Sequence, residues 1–206
     1  MPVVVDRGYV SLAELKATLS ISAGETFVDD DLARAINAAS RLVEQFTGQR
    51  FHRDTADVTR VMTASSTNRI DFRVPPLASL TTLSSDQDGD GTFERTWSAS
   101  EFALRPLNAP ADGLPYTHLE RLTAPVVFPT GVGRFQVVGQ FGWPDVPAEV
   151  VEATRIQSAR LVTRTREAPL GVAGLAFEGG AMRLLAKLDP DVEVLLNPYV
   201  LKQLVR

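Results

Sequence analysis

Cysteine is absent from the chain, which excludes disulfide frameworks, thiolate nucleophiles and sulfur-ligated zinc or iron together. Histidine is scarce, with His52 and His118 the two imidazoles available, far apart and in different predicted elements. No Gly-x-Ser-x-Gly elbow, no His-Glu-x-x-His helix and no phosphate-cradling glycine-lysine loop occurs, so neither histidine has a nucleophile or metal shell to work with. Both read as surface or structural residues, and the chain reads as a non-enzyme that needs no cofactor. A basic excess is also missing. The 21 Lys and Arg against 25 Asp and Glu leave a formal net charge of -4 and a pI near 5.3, which disfavours a dedicated DNA-binding module. No apolar stretch approaches the roughly 20 residues that span a bilayer. The opening Met1-Pro2-Val3-Val4-Val5-Asp6 lacks the basic region and apolar run of a signal peptide. These absences predict a soluble cytoplasmic protein with no membrane partner. There is no internal repeat at a fixed period.

What is present is ordinary globular material, 44% hydrophobic and 22% charged in 206 residues, enough for one domain with arms. Ser11-Leu12-Ala13-Glu14 has the form of a capping box and predicts a helix over 11–20 with Leu12, Leu15 and Leu19 buried. The acidic run Asp29-Asp30-Asp31 suits the positive end of a helix dipole. It opens a second helix over 29–48, with Leu32, Ile36, Ala39, Val43 and Phe46 at helical spacing and Gly48 as the left-handed stop. Acid–base work by Asp29 with Asp31 is the less economical reading of that run. From 53 to 141 short β-type runs alternate with turns: Val58 to Met62, Ile70 to Val74, Leu80 to Leu83, a hairpin return through Phe93, Arg95 and Trp97, Val126 to Phe128, and Phe135 to Val138. Pro75-Pro76 predicts a strand break, and Asn108 to Thr117 an exposed loop. Pro147 opens a third helix over 147–166. The segment Gly171 to Gly180 reads as a glycine-rich arm, and Asp189-Pro190-Asp191 caps a last short helix that stops at Asn197-Pro198. The fold class is therefore α+β: a small bundle of three to four helices with an inserted antiparallel β region and an extended C-terminal arm. Residues 1–170 form the main domain and 171–206 the arm with a docking segment.

Three features carry candidate chemistry. Asp86-x-Asp88-x-Asp90-Gly91 matches the first half of a calcium loop, since alternate carboxylates can converge on a hard cation. The twelfth position, however, falls on Trp97, Glu94 comes too early for the usual bidentate role, and the flanks read as strands. A plain Asp/Gly hairpin turn is the competing reading. Arg155, Arg160, Arg164 and Arg166 keep one side of the third helix basic; they face DNA, pair with acids of a neighbouring subunit, or solvate an exposed face. Val192, Val194, Leu195, Leu196, Tyr199, Val200, Leu201, Leu204 and Val205 place apolar surface behind the arm, which marks a partner site or a fold-back onto the chain's own core.

Four phrases in fixed order resemble the head-tail connector (portal adaptor) family of long-tailed phages. They are the N-terminal helix pair closing on Phe46-Thr47-Gly48-Gln49-Arg50-Phe51, then Pro75-Pro76-Leu77-Ala78-Ser79-Leu80, then Gly139-Gln140-Phe141-Gly142-Trp143-Pro144-Asp145-Val146-Pro147 running into a helix, and finally Asp189-Pro190-Asp191-Val192 with Leu195-Leu196-Asn197-Pro198-Tyr199. The likeness covers most of the chain. It implies a structural virion protein of the neck, assembled in the host cytoplasm into a homo-oligomeric ring, a dodecamer by family pattern. Such a ring docks on the portal protein and presents a lower surface to a downstream neck or tail (stopper) protein, and DNA passes through it without sequence recognition. On that resemblance Tyr199, Leu201, Leu204 and Val205 meet the portal, and Arg155, Arg160 and Arg164 meet the next subunit. The long region Arg53 to Arg134 departs from a minimal member. The alternatives are another neck protein (stopper or head completion), or a calcium-dependent binding module built on Asp86, Asp88 and Asp90.

Overall fold

A computed structural model describes residues 2–64, 71–122, 128–167, 172–173, 182–183 and 188–201. Among them are four α-helices and a six-stranded antiparallel sheet, an α+β fold as the sequence pattern predicts. The chain divides into a helical unit, Met1–Gln49 with Val146–Arg206, and a sheet unit, Arg50–Asp145.

In the helical unit, α1 spans Leu12–Thr18 and the capping box is formed. The Glu14 amide donates to the Ser11 hydroxyl at 3.2 Å, and the Glu14 carboxylate accepts the Ser11 amide at 2.7 Å. Helix α2 (Asp29–Thr47) begins on its three aspartates without a side-chain cap and ends at Gly48, whose φ of 71° is the left-handed stop. Helix α3 covers Ala148–Glu167. Val10, Leu15, Leu32, Ile36 and Val162 form one buried cluster, whereas Phe46 stays half-buried. Several buried polar side chains need no outside partner, because Ser40, Thr47, Thr154 and Ser158 return their hydroxyls to the carbonyl four residues earlier at 2.7–2.8 Å. Lys16 is also buried, and its ammonium reaches the Asp29 carboxylate at 2.5 Å and the Glu25 carbonyl at 2.7 Å. Helix α4 (Pro190–Leu196) carries the predicted Asp189 cap and N1 proline and runs into a 3-10 turn, Asn197–Tyr199.

In the sheet unit, β1 (Val58–Ala64), β2 (Asp71–Ser85), β3 (Arg95–Thr96), β4 (Phe102–Arg105), β5 (Tyr116–Arg121) and β6 (Gly131–Phe141) order as β1-β6-β2-β5-β4, with β3 on β2. Two expectations are corrected here. Pro75-Pro76 does not end a strand, since β2 runs through it for 15 residues. The prolines sit where pairing with β5 jumps from Arg73 to Leu77 and before pairing with β6 begins at Leu77, so the missing N–H groups remove no ladder bond. The loop predicted over Asn108 to Thr117 ends sooner, because Tyr116 and Thr117 already belong to β5. Phe72, Trp97, Phe128 and Phe135 centre the sheet core, with Phe72 stacked on Phe135 at 4.4 Å and Phe128 edge-on to Phe72, Trp97 and Phe135. Each such pair adds about 0.5–1.5 kcal/mol beyond the area it buries.

Two short strands, β7 (Val172–Ala173) and β8 (Met182–Arg183), pair antiparallel. The rest of the Gly171 to Gly180 segment lies outside the described residues, as do Ile70, Val126 and Val127.

Candidate functional site

The acidic hairpin joins β2 to β3. Ser84 and Ser85 pair with Thr96 and Arg95, which brings Glu94 back beside the start of the loop. Asp86, Asp88, Asp90 and Glu94 each offer an oxygen within 4.8 Å of the others'. Among the described residues this is the one such grouping of acids or histidines. The sequence template set Glu94 aside because an EF-hand closes at its twelfth position; a hairpin closes sooner, and its geometry recruits that glutamate.

These carboxylates are already engaged. Buried Asp86 accepts the Gly89 amide at 2.5 Å and the Gly91 amide at 3.0 Å, and it pairs with the Arg134 guanidinium at 3.2 Å. Burial pushes its carboxyl up, but the two amides and the Arg134 charge outweigh that effect and hold it below its ordinary value. Asp88 and Asp90 each accept the amide two residues on, and Glu94 accepts the Gln87 amide at 2.6 Å. The arrangement is a self-satisfied turn locked to β6 by Arg134. The sequence reading missed Arg134 as the partner, because it lies 48 residues further along the chain and reaches Asp86 only through the pairing of β6 with β2.

His52 precedes β1 and half-buried His118 lies on β5, where its Nδ1 bonds the hydroxyl of Thr117 at 2.9 Å. Among the described residues no carboxylate hydrogen-bonds either ring.

On α3 the arginines find partners within their own unit. Arg155 forks onto Glu152 and reaches the Thr18 hydroxyl at 3.2 Å, and Arg160 pairs with Asp189 at 2.9 Å. Arg164, half-exposed, is not drawn into either pair. A cleft of about 270 Å³ between α2 and α3 has an apolar floor including Ala35 and Leu161, with Arg34 and Arg166 at its rim.

The apolar C-terminal segment is partly internal. Val192 and Leu196 are fully buried in the helical unit, which removes them from the predicted partner surface. The physical reason is helical periodicity, since α4 turns these two positions inward and leaves Val194 70% exposed. The Tyr199 hydroxyl donates to the Glu149 carboxylate at 2.8 Å, Gln49 donates to the Tyr199 carbonyl at 2.5 Å, and the Leu201 amide donates to the Thr47 carbonyl at 2.9 Å. Burial first, then the bond and charge of Glu149, push the Tyr199 phenol up to about 12. Leu204 and Val205 lie outside the described residues.

This chain shares its fold with chains of a gene transfer agent particle. A chain from the neck of the empty GTA particle, computed with C6 symmetry, aligns with a TM-score of 0.56 at 19% identity, covering 95% of this chain and 91% of that one. A chain from the virion of the native particle aligns at 0.53 and 20% identity over 91% and 87%. A third, from the native neck computed with C12 symmetry, aligns at 0.50 and 20% identity over 91% and 86%. No family model matches the sequence, and no curated protein does. At this identity the likeness is one of fold, and it extends over both units of the chain rather than one motif.

Proposed function

We propose that the chain is a structural subunit of a phage-like particle neck, a portal adaptor that assembles with copies of itself into a ring between the portal and the tail. The observation that carries this reading is the extent of the shared fold: 95% of this chain superposes on 91% of a chain from a particle neck. Fold alone does not assign function. Here it agrees with a sequence that resembles portal adaptors in four ordered phrases, and with side chains already committed to structural partners. The acidic balance of charge, -4 overall, suits a passage that should not grip DNA, since each neutralised phosphate adds affinity.

Within this reading the ring contacts include Arg164 on α3. Arg155 and Arg160 contribute through the geometry of the helix they brace. The last residues, with Leu204 and Val205, dock on the portal from the anchor that Tyr199 and Leu201 make on the chain's own helices, and the opposite end of the ring receives a stopper protein. The hairpin of Asp86, Asp88 and Asp90 is a turn in this scheme. The test is native mass spectrometry and co-purification with the portal protein. A cyclic oligomer that ignores chelator is expected, together with a complex that is lost when Lys202 to Arg206 are deleted while helix content is kept. A monomer that changes with calcium would overturn the adaptor reading.

A further inference from the structure

Residues 3–9 run beside α2 as an extended segment held by side chains of the helix. Asp30 accepts the Val3 amide, the Asn37 side chain donates to the Val4 carbonyl and accepts the Asp6 amide, and Arg41 donates to the Arg7 carbonyl, each at 2.9 Å. Positions 30, 37 and 41 fall on one stripe of the helix. Exposure alternates along the segment, with Val3 and Val5 half-buried and Val4 and Asp6 exposed, so a strand's two-residue period is laid on a helix instead of a sheet. Asn37 takes the place of a neighbouring strand, because its amide group offers one donor and one acceptor to the same stretch of backbone. Val5 packs on the apolar cluster that contains Leu32 and Ile36.

The two ends of this segment are fastened differently. Tyr9 and Val10 are buried, and Tyr9 gives its amide to the Ser40 hydroxyl at 3.2 Å and its own hydroxyl to Glu44 at 2.5 Å. Ahead of Gly8, the four described backbone bonds all go to side chains, three of them are exposed, and no backbone–backbone bond is described for residues 3–8. Segments held in this way open locally at small cost. Between the two parts the chain bends at Arg7, whose φ of 49° lies in the left-handed region that a residue with a Cβ adopts only at a cost. We infer that residues 3–7 form a strap that lifts off α2 as one unit by rotation at Arg7 and Gly8, with Asn37 as its clasp and Tyr9 as its fixed anchor. Opening uncovers the apolar side of α2 that Val5 covers while the helices stay folded. The bend at Arg7 favours opening, and the two bonds of Asn37 oppose it.

Asn37→Ala removes the clasp and puts a better helix former in its place, so α2 keeps its helix content. Residue-resolved amide exchange is the measurement. The variant is expected to exchange about tenfold faster at Asp6, which loses its acceptor, and equally so at Val3, whose own acceptor Asp30 is untouched. Tyr9 and the amides of α2 are expected to keep their rates. Asp30→Ala is expected to give the reciprocal result, with Asp6 accelerated alongside Val3. Trypsin supplies a second reading, since cleavage after Arg7 follows the population of the open strap and is expected to rise about tenfold in Asn37→Ala. Acceleration of Asp6 alone in Asn37→Ala shows independent bonds in place of a strap and overturns the inference. Acceleration of Tyr9 and α2 by the same factor shows that the segment opens only with the whole helical unit, and overturns it as well.

Discussion

Asp86 shows how a motif of cation-binding form becomes a structural device. Two backbone amides and Arg134 already occupy its oxygens. Titration of calcium into the protein is therefore expected to give no heat and no thermal shift, and a saturable heat would return the loop to metal binding. Because the folded carboxyl lies below its ordinary value, its stabilising effect is complete above the unfolded value of about 4 and disappears as pH falls through the lower, folded one. Asp86→Asn is expected to melt below the unaltered chain at pH 7, the gap closing in acid. Tyr199 behaves in the opposite sense. With its phenol raised to about 12, its contribution is complete below the unfolded value of about 10 and is lost as pH rises toward 12. A 295 nm titration in which Tyr199→Phe deletes the highest-pH step checks the assignment.

At the scale of elements, the helix ends were the most legible part of the sequence. Capping box, acidic first turn, glycine stop and N1 proline act within three or four residues, so Ser11, Asp29, Gly48 and Pro190 placed α1, α2 and α4 correctly. Ser11→Ala is expected to cost about 1 kcal/mol in urea unfolding. The strands were legible only where one face is buried. In β6, Phe135, Val137, Gly139 and Phe141 alternate inward, whereas β4 and β5 mix polar and apolar residues at half-buried positions, and neither was predicted as a strand. Pro75-Pro76 misled for a related reason, since a proline breaks a ladder only where a partner needs its N–H. Gly139 is the tightest point of the sheet, because a Cβ there would lie 2.2 Å from the Ser79 carbonyl oxygen. Gly139→Ala is expected to disrupt the β2–β6 pairing, read as loss of exchange protection in both strands.

For the molecule as a whole, each unit has a buried apolar cluster of its own. Both tryptophans of the chain, Trp97 and Trp143, belong to the sheet unit, so indole fluorescence reports that unit. Phe135→Ala, which empties the centre of the aromatic cluster, is expected to destabilise it by about 3–5 kcal/mol. A shift of less than 1 kcal/mol in the fluorescence transition would show that the core repacks around the gap.

The sequence by itself determined that the chain carries no thiol and where its helices begin, because composition and caps act locally. It also supplied the resemblance to portal adaptors through four ordered phrases. Only the tertiary structure decided which polar groups are already satisfied: Arg134 on Asp86, Asp189 on Arg160 and Glu149 on Tyr199 lie 48, 29 and 50 residues apart in the chain. It also decided which sheet edges stay open, a property set by strand order. Contacts over such separations depend on how the elements pack, and no local pattern encodes that.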